Sequence, residues 1–230
     1  MAGADDQLSG SGVSYNFQYI GNIEVVTSMR SLDFDVRTNL TKECIYQVCE
    51  RAKLLHGRKH AVDVRAAQLL GANPRIQLVG LNVDFVISTR ALTVAHADRT
   101  QIERCGTLLL MHPLPNVSFA SAGDAEMPDY VCYVAKDDNN GRRCYVYECG
   151  KQMAAQVLKT VGDAFNMRHG SLVASSQPPS ASVPLLSNHP PPRSPALINF
   201  EIPVDPTPTR PAPEYVNDSA ISAHHDTISF

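Results

Sequence analysis

Proline divides this chain into two unequal parts. Twelve of its 16 prolines follow residue 170, and residues 171–230 contain no lysine, two arginines, five acidic residues and one tyrosine. Such a segment buries too little apolar surface to offset the entropy lost on ordering, so it is predicted to be a disordered, proline-rich tail. Residues 1–11 are small and polar and are predicted to be a disordered N-terminus. The folded domain is therefore expected within residues 12–170.

The 12–170 segment has the pattern of a strand-rich domain with one internal and one closing helix. The spacing becomes helical from Thr41, with the apolar side chains on one stripe. A closing amphipathic helix is predicted from Lys151 to Gly170. Short strands with one closing helix predict a mainly β, α+β sandwich or partial barrel capped by the C-terminal helix. The predicted strands are residues 13–20, 76–79, 81–88, 91–95, 108–111, 117–121, 130–135 and 144–147.

A tight hairpin joins the last two predicted strands. The five-residue loop 137–141 contains Asp, Asn and Gly, the residues that favour turns. Lys136 ends one arm and Arg142 begins the other, so both cations are expected near the loop. With a hydroxyl donor such as Ser118 on a neighbouring strand, an arginine fork and a lysine point charge predict a phosphate site. Arg143 is expected to face the opposite side, exposed. Simple solvated charges are the alternative interpretation of this stretch alone.

Charge balance and missing motifs narrow the function classes. Residues 1–170 carry 18 basic and 18 acidic residues, which argues against broad binding of nucleic acid. Six cysteines without C-x-x-C spacing, no signal sequence and no bilayer-length apolar run predict buried free thiols in a reducing cytoplasm. His56 and His60 lack further ligands, so no metal or cofactor is expected. Ser118 and His112 lack a G-x-S-x-G motif, and the chain is predicted not to be an enzyme.

Five motifs together resemble one family. They are Y-I-G-N-I-E-V, S-M-R-S-L-D-F, N-V-S-F-A-S-A-G-D, Y-V-A-K-D and G-D-A-F-N-M-R. Over residues 12–169 the chain is similar to the phosphotyrosine-binding (PTB) domain of the Shc adaptor family. The resemblance implies a PH-like sandwich of seven antiparallel strands with a C-terminal helix. It also implies that an Asn-Pro-X-phosphotyrosine peptide adds as an antiparallel strand between one sheet edge and that helix.

The same resemblance assigns residues to the site. Three cations around one phosphate match its charge of about −1.5 to −2 near neutral pH. The peptide groove is expected at the sheet edge around Ser118, with Phe119 on the sheet and Phe165 on the helix. The family's phosphate contacts fall on Arg30, Ser118, Lys136 and Arg142.

The tail carries a second recognition element by the same resemblance. Its single tyrosine, Tyr215, is followed two residues later by Asn217. This spacing resembles the family's docking site, in which phosphotyrosine recruits the SH2 domain of a Grb-type adaptor towards Ras signalling. The chain is thus predicted to be a non-catalytic cytoplasmic adaptor, recruited to the inner face of the plasma membrane by phosphotyrosine-containing receptor tails.

A module of the same fold that binds acidic phospholipid or unphosphorylated peptide is the alternative function. Residues 56–75 match the family poorly, so no lipid contact is transferred to them residue by residue. A basic patch for weak phospholipid contact and plain solvated charges are both compatible with the cations of this region. These cations are Arg58, Lys59, Arg65 and Arg75.

Overall fold

The computed structural model describes residues 4–55, 60–98, 100, 102–103, 107–137, 139–176 and 197–198. The helices are α1 (Ala4–Ser9), α2 (Phe34–Arg51), α3 (Val64–Ala67) and α4 (Ala154–Ser176), with 3₁₀ turns at Met29–Ser31 and Leu114–Asn116. The strands are β1 (Val13–Glu24), β2 (Leu81–Ile87), β3 (Ala91–His96), β4 (Leu108–Pro113), β5 (Val117–Ala122), β6 (Tyr130–Lys136), β7 (Arg142–Glu148) and β8 (Leu197–Ile198).

The described strands form one antiparallel sheet in the order β4-β3-β2-β1-β7-β6-β5-β8. Seven of them come from the predicted domain, and α4 follows the seventh. The predicted fold of seven antiparallel strands with a closing helix is therefore confirmed. The predicted strand at residues 76–79 is wrong: residues 77–80 form turns, and Gly80 has a φ of +78°.

The central strands are buried on both faces. In β6, Cys132 and Val134 pack towards α2, whereas Val131 and Tyr133 pack into a second cluster with residues of α4. Because successive strand residues face opposite sides, a strand covered on both sides needs apolar residues at every position. We call the two cores the α2-side cluster and the α4-side cluster. Representative members are Cys44, Ile45, Val48, Phe119, Cys132 and Val134 in the first, and Phe17, Val117, Ala120, Tyr133, Tyr147 and Phe165 in the second.

Helix α2 begins earlier than its apolar stripe predicts. Its N-cap is Asp33, whose backbone is extended, and the helix therefore includes Thr41 in its interior. Thr41 is fully buried, and its hydroxyl donates to the carbonyls of Arg37 and Thr38 (3.1 and 3.0 Å). A threonine whose hydroxyl bonds to carbonyls of the preceding turn can lie within a helix.

The folded domain extends beyond both of its predicted ends, residues 12 and 170. Residues 4–9 were expected to be disordered but form α1, because Leu8 is buried in the α4-side cluster at 2 % exposure. Gly12 has a φ of +88°, and this left-handed conformation lets the chain turn from α1 into β1. At the other end, α4 passes Gly170 and continues to Ser176. Within the predicted disordered tail, Leu197–Ile198 forms β8.

The described cysteines are buried free thiols, as predicted. Five cysteines are buried and free, while Cys105 lies outside the described residues. Burial raises the pKa of Cys44 and Cys144, and a hydrogen bond to Cys144 together with burial raises the pKa of Cys132. These three thiols therefore stay protonated and serve as small apolar core groups. No helix among the described residues is long and apolar enough to cross a membrane.

Candidate anion-binding site and peptide edge

A cavity of about 200 Å³ lies where the Met29–Ser31 turn, the segment before β5 and the β6–β7 hairpin meet. It is lined by all four residues that the sequence assigned to phosphate binding, which come from three separate parts of the chain. The full lining is Ser28, Arg30, Pro115, Asn116, Ser118, Lys136 and Arg142.

Backbone pairing holds two of the cations side by side. Lys136 and Arg142 are direct partners in the β6–β7 register. The carboxylate of Asp137 accepts from the backbone N–H of Asn139 (3.0 Å) and of Gly141 (2.8 Å), which closes the loop as an Asx turn. The arm is also tied to the residue that follows β1, because the Val25 N–H donates to the Arg142 carbonyl (2.9 Å). The spacing of the cations is therefore set by the hairpin.

Ser118 and Arg30 enter the cavity from irregular backbone. The β5–β6 register shifts between Val117 and Phe119, so Ser118 lies in a β-bulge, a feature that redirects side chains near functional sites. Its hydroxyl donates to the Val134 carbonyl (3.2 Å), a bond that a stronger acceptor can replace. Arg30 is exposed beside Met29, which is 1 % exposed and anchors the 3₁₀ turn in the core.

The cavity carries uncompensated positive charge. Arg30 and Lys136 are exposed and Arg142 is half-buried. None of the three forms an ion pair with any residue in the described part of the chain, where the salt bridges are His60–Glu43 and Lys159–Asp163. Three cations and two serine hydroxyls around one small cavity can hold a dianion such as a phosphate monoester.

Arg143 is not the exposed charge that the sequence predicted. It is 8 % exposed, and its Nε–H donates to Asn22 Oδ1 on β1. Burial and the nearby guanidinium of Arg75 lower the pKa of Arg143. Arg143 is absent from the cavity lining, as expected for a residue that faces away from Arg142. The side that it faces is covered by the neighbouring strand β1.

The two phenylalanines expected in the peptide groove are both buried. Phe119 is fully buried in the α2-side cluster, where it meets Phe34 edge-on at 6.3 Å between ring centroids. It is therefore a core residue, and its assignment to the groove is wrong. Phe165 lies in the α4-side cluster and is 2 % exposed in the chain with β8 beside α4.

Comparison with known proteins places the chain in a family. The family described as "Phosphotyrosine interaction domain (PTB/PID)" matches residues 15–175. The chain belongs to this family. SHC-transforming protein 4 of Mus musculus is 40 % identical over 163 residues, which is 70 % of this chain and 25 % of that protein. SHC-transforming proteins 2 and 3 of Homo sapiens are 38 % and 39 % identical, over 78 % and 72 % of this chain.

The chain spans 25–30 % of the length of these relatives. The resemblance to the Shc-type PTB domain is confirmed by the PTB/PID match and by the SHC-transforming proteins that are 38–40 % identical to this chain. The match to the PTB family also ends near the C-terminus of α4, at residue 175. The prediction that concerns the rest of the tail, including Tyr215 and Asn217, falls outside the described residues.

Sequence reasoning missed three residues of the cavity lining and one strand. Ser28, Pro115 and Asn116 also line the cavity, and each lies within three residues of a predicted site residue. Strand β8 was missed because the tail was judged by overall composition. The available signal was local: Leu197, Ile198, Phe200 and Ile202 are apolar residues clustered within a proline-rich segment.

Among the residues that the structure describes, the remaining candidates do not gather into a second site. Arg58 and Lys59 lie outside the described residues, and Arg65 is exposed in the short helix α3. His60 stacks on Tyr46 and its Nε2 lies 2.7 Å from Glu43 Oε2. His112 contacts the hydroxyl of Tyr133 (3.0 Å) while Ser118 bonds to Val134. Ser118 and His112 thus have different hydrogen-bond partners, Val134 and Tyr133.

Proposed function

We propose that this chain binds peptides of the Asn-Pro-X-phosphotyrosine type and acts as a signalling adaptor. The observation that carries the proposal is the cavity in which Arg30, Lys136 and Arg142 converge without an ion pair to any described residue. A phosphate of charge about −1.5 to −2 would be neutralised there, with the serine hydroxyls as further donors.

The rest of the peptide would bind by strand addition. Within the seven-stranded sheet of the domain, β5 is an edge strand, and its outer edge lies beside α4. An extended segment upstream of the phosphotyrosine can continue the sheet through main-chain bonds, while its side chains contact the helix. Ser118 lies at the start of this edge, so one peptide can reach both the edge and the cavity.

Removing the phosphate should weaken binding strongly but not abolish it. The cations are exposed or half-buried in the free chain, so each contributes less than a fully buried ion pair would. Two exposed contacts of up to ~1 kcal/mol and one stronger charged hydrogen bond give about 2–4 kcal/mol, roughly 30- to 900-fold. Fluorescence anisotropy with one Asn-Pro-X-Tyr peptide in both forms, titrated with the full chain, measures this ratio.

Equal affinity for the two peptides would contradict the proposed function. It would favour the alternative, a module that reads unphosphorylated peptide. A parallel titration with vesicles containing an anionic phosphoinositide tests the lipid alternative: vesicle binding with no peptide binding would replace the proposed function by that one.

The tail would supply the output of the adaptor. Once phosphorylated, Tyr215 would present a dianionic ligand that an SH2 domain of a Grb-type adaptor can bind, which would link the chain to Ras signalling. Binding of the PTB domain to phosphorylated receptor tails would hold the complex at the inner face of the plasma membrane. The match to the PTB/PID family and to SHC-transforming proteins supports a role in phosphotyrosine signalling.

Asn217 should decide whether the tail binds an SH2 domain. A side-chain amide offers a donor and an acceptor to an SH2 pocket, whereas alanine offers neither. Replacing Asn217 by alanine in a phosphorylated peptide spanning residues 211–220 should therefore cost at least about 1.5 kcal/mol, the order of an unpaired buried polar group. Calorimetry with a Grb-type SH2 domain compares the two peptides. Indistinguishable affinities would show that Tyr215 is not a docking site of this type.

A further inference from the structure

Part of the tail already lies on the edge where the peptide would bind. Strand β8, Leu197–Ile198, pairs antiparallel with β5, with Ile198 opposite Ala120 and Leu197 opposite Ser121. It also contacts α4. Strand β8 is therefore placed between the sheet edge and the closing helix, as the proposed phosphopeptide would be.

The edge of β5 favours such a partner. As the terminal strand of the domain, β5 would otherwise present unpaired N–H and C=O groups, which bind any extended segment that reaches them. Ala120 and Ser121 are small and almost fully buried in the chain with β8 in place, at 2 % and 0 % exposure. Small side chains at the paired positions leave room for another strand to approach.

The direction of β8 matches that of the proposed ligand. Because the pairing is antiparallel, residue numbers along β8 rise towards the Ser118 end of β5, and the cavity is at that end. In sequence, the next residues are Asn199-Phe200-Glu201-Ile202. They have an asparagine three positions before isoleucine, where the ligand motif has asparagine three positions before phosphotyrosine. The tail thus offers a strand of suitable direction without a phosphate.

We propose that the Leu197–Ile198 segment is an internal competitive ligand, which occupies the β5 edge until a phosphotyrosine peptide displaces it. This inference rests on the proposed function of the same edge. A tethered segment competes at a local concentration of the order of millimolar, so even a two-residue ladder can lower the apparent affinity of an outside peptide. The incoming peptide gains the phosphate contacts in the cavity, which the tail lacks, and displaces β8.

The competition should lower the affinity for phosphorylated and unphosphorylated peptides by the same factor. The ratio between them is then unchanged, since it depends on the cavity alone. The practical effect is a threshold. Peptides that bind weakly through the β5 edge alone fail to displace β8 at concentrations at which phosphopeptides displace it.

The test replaces both β8 residues by proline in the full chain, as the double variant Leu197→Pro with Ile198→Pro. Proline removes the backbone N–H that a ladder needs and is confined to positions outside central strands. The matched control is Leu185→Pro with Leu186→Pro, an apolar pair in the same tail that lies outside the described residues. A single cooperative melting transition in all three proteins establishes that the domain is intact. Its midpoint should be lower by a few degrees in the β8 variant alone, because β8 pairs only with the folded domain.

Two measurements then decide the proposal. Anisotropy with the phosphorylated Asn-Pro-X-Tyr peptide should show affinity increased about threefold to tenfold by the β8 variant and unchanged by the control. Hydrogen exchange should show faster exchange of the β5 amides that point away from β6, again only in the β8 variant. The second measurement needs no ligand.

The outcomes separate this inference from the function on which it rests. If all three proteins bind the phosphopeptide equally, the proposed function stands and internal competition is overturned, whether or not exchange at β5 has changed. If none of them binds the peptide, the proposed function fails, and the regulatory role of β8 fails with it. In that case faster exchange in the β8 variant would still identify β8 as a structural strand.

Discussion

Replacing Arg142 by alanine should reduce the affinity for an Asn-Pro-X-phosphotyrosine peptide by roughly 10- to 150-fold, or about 1.5–3 kcal/mol. Arg142 is the half-buried cation of the cavity, and the hairpin register holds it beside Lys136. A partly desolvated guanidinium that forms a fork with phosphate is worth more than an exposed ammonium. Lys136→Ala and Arg30→Ala should each cost less, under about 1 kcal/mol, because both side chains are exposed.

The matched control is Arg51→Ala, which removes an exposed arginine from the last turn of α2, outside the cavity lining. Titration of each purified variant with phosphorylated and unphosphorylated peptide gives the ratio that isolates the phosphate contacts. In Arg142→Ala the ratio between the two affinities should fall by the same 10- to 150-fold, leaving the preference that Arg30 and Lys136 supply. If the full phosphate preference survived in Arg142→Ala, the cavity would not be the phosphate site. Arg143→Ala is unsuitable as a control because its side chain is buried and bonded to Asn22.

Replacing Phe119 by alanine should destabilise the domain by about 3–5 kcal/mol, the range for removing a buried aromatic ring. Phe119 is fully buried in the α2-side cluster and packs edge-on against Phe34. Against a total stability of about 5–15 kcal/mol, this loss should lower the urea midpoint sharply. Urea unfolding followed by circular dichroism measures the effect.

Phe34→Ala is the natural comparison for this prediction. Phe34 is 38 % exposed and shares the same ring contact, so its truncation removes the edge-on pair but leaves little cavity. Its expected cost is under about 1.5 kcal/mol. Below the unfolding transition, peptide affinity should be unchanged in Phe119→Ala apart from the fraction of unfolded protein. A large loss of affinity with unaltered stability would restore Phe119 to the groove.

The cation positions in the hairpin could be predicted from the sequence because they depend on local chemistry. An Asp-to-Gly turn between two apolar runs determines which residues stand opposite each other, and Lys136 and Arg142 are paired as that spacing requires. The burial of β6 could be predicted in the same way. Its residues before Lys136 are all apolar or aromatic, and such a run indicates a strand that is covered on both faces. Turn chemistry and periodicity act over a few residues, so a single sequence contains them.

The side chains around Ser118 could not be placed in this way. The bulge at Ser118 adds a residue to β5, so that Val117 and Ala120 both enter the α4-side cluster while Phe119 enters the α2-side cluster. Simple alternation would have put Val117 and Phe119 on one face and Ala120 on the other. Nothing in the local residue pattern marks the bulge, because the register shift is determined by pairing with β6.

The burial of Arg143 and Leu8 and the pairing of β8 depend on parts of the chain that are distant in sequence. Arg143 faces away from Arg142 as its position requires, but whether that face meets water or Asn22 was decided by β1, about 120 residues earlier. Leu8 is buried only because the α4-side cluster is open to it, and β8 forms only because β5 offers an unpaired edge. The sequence by itself thus determined the strand pattern, the hairpin and the convergence of like charges. The tertiary structure decided which faces are covered, since burial is a property of the surfaces that other elements leave open.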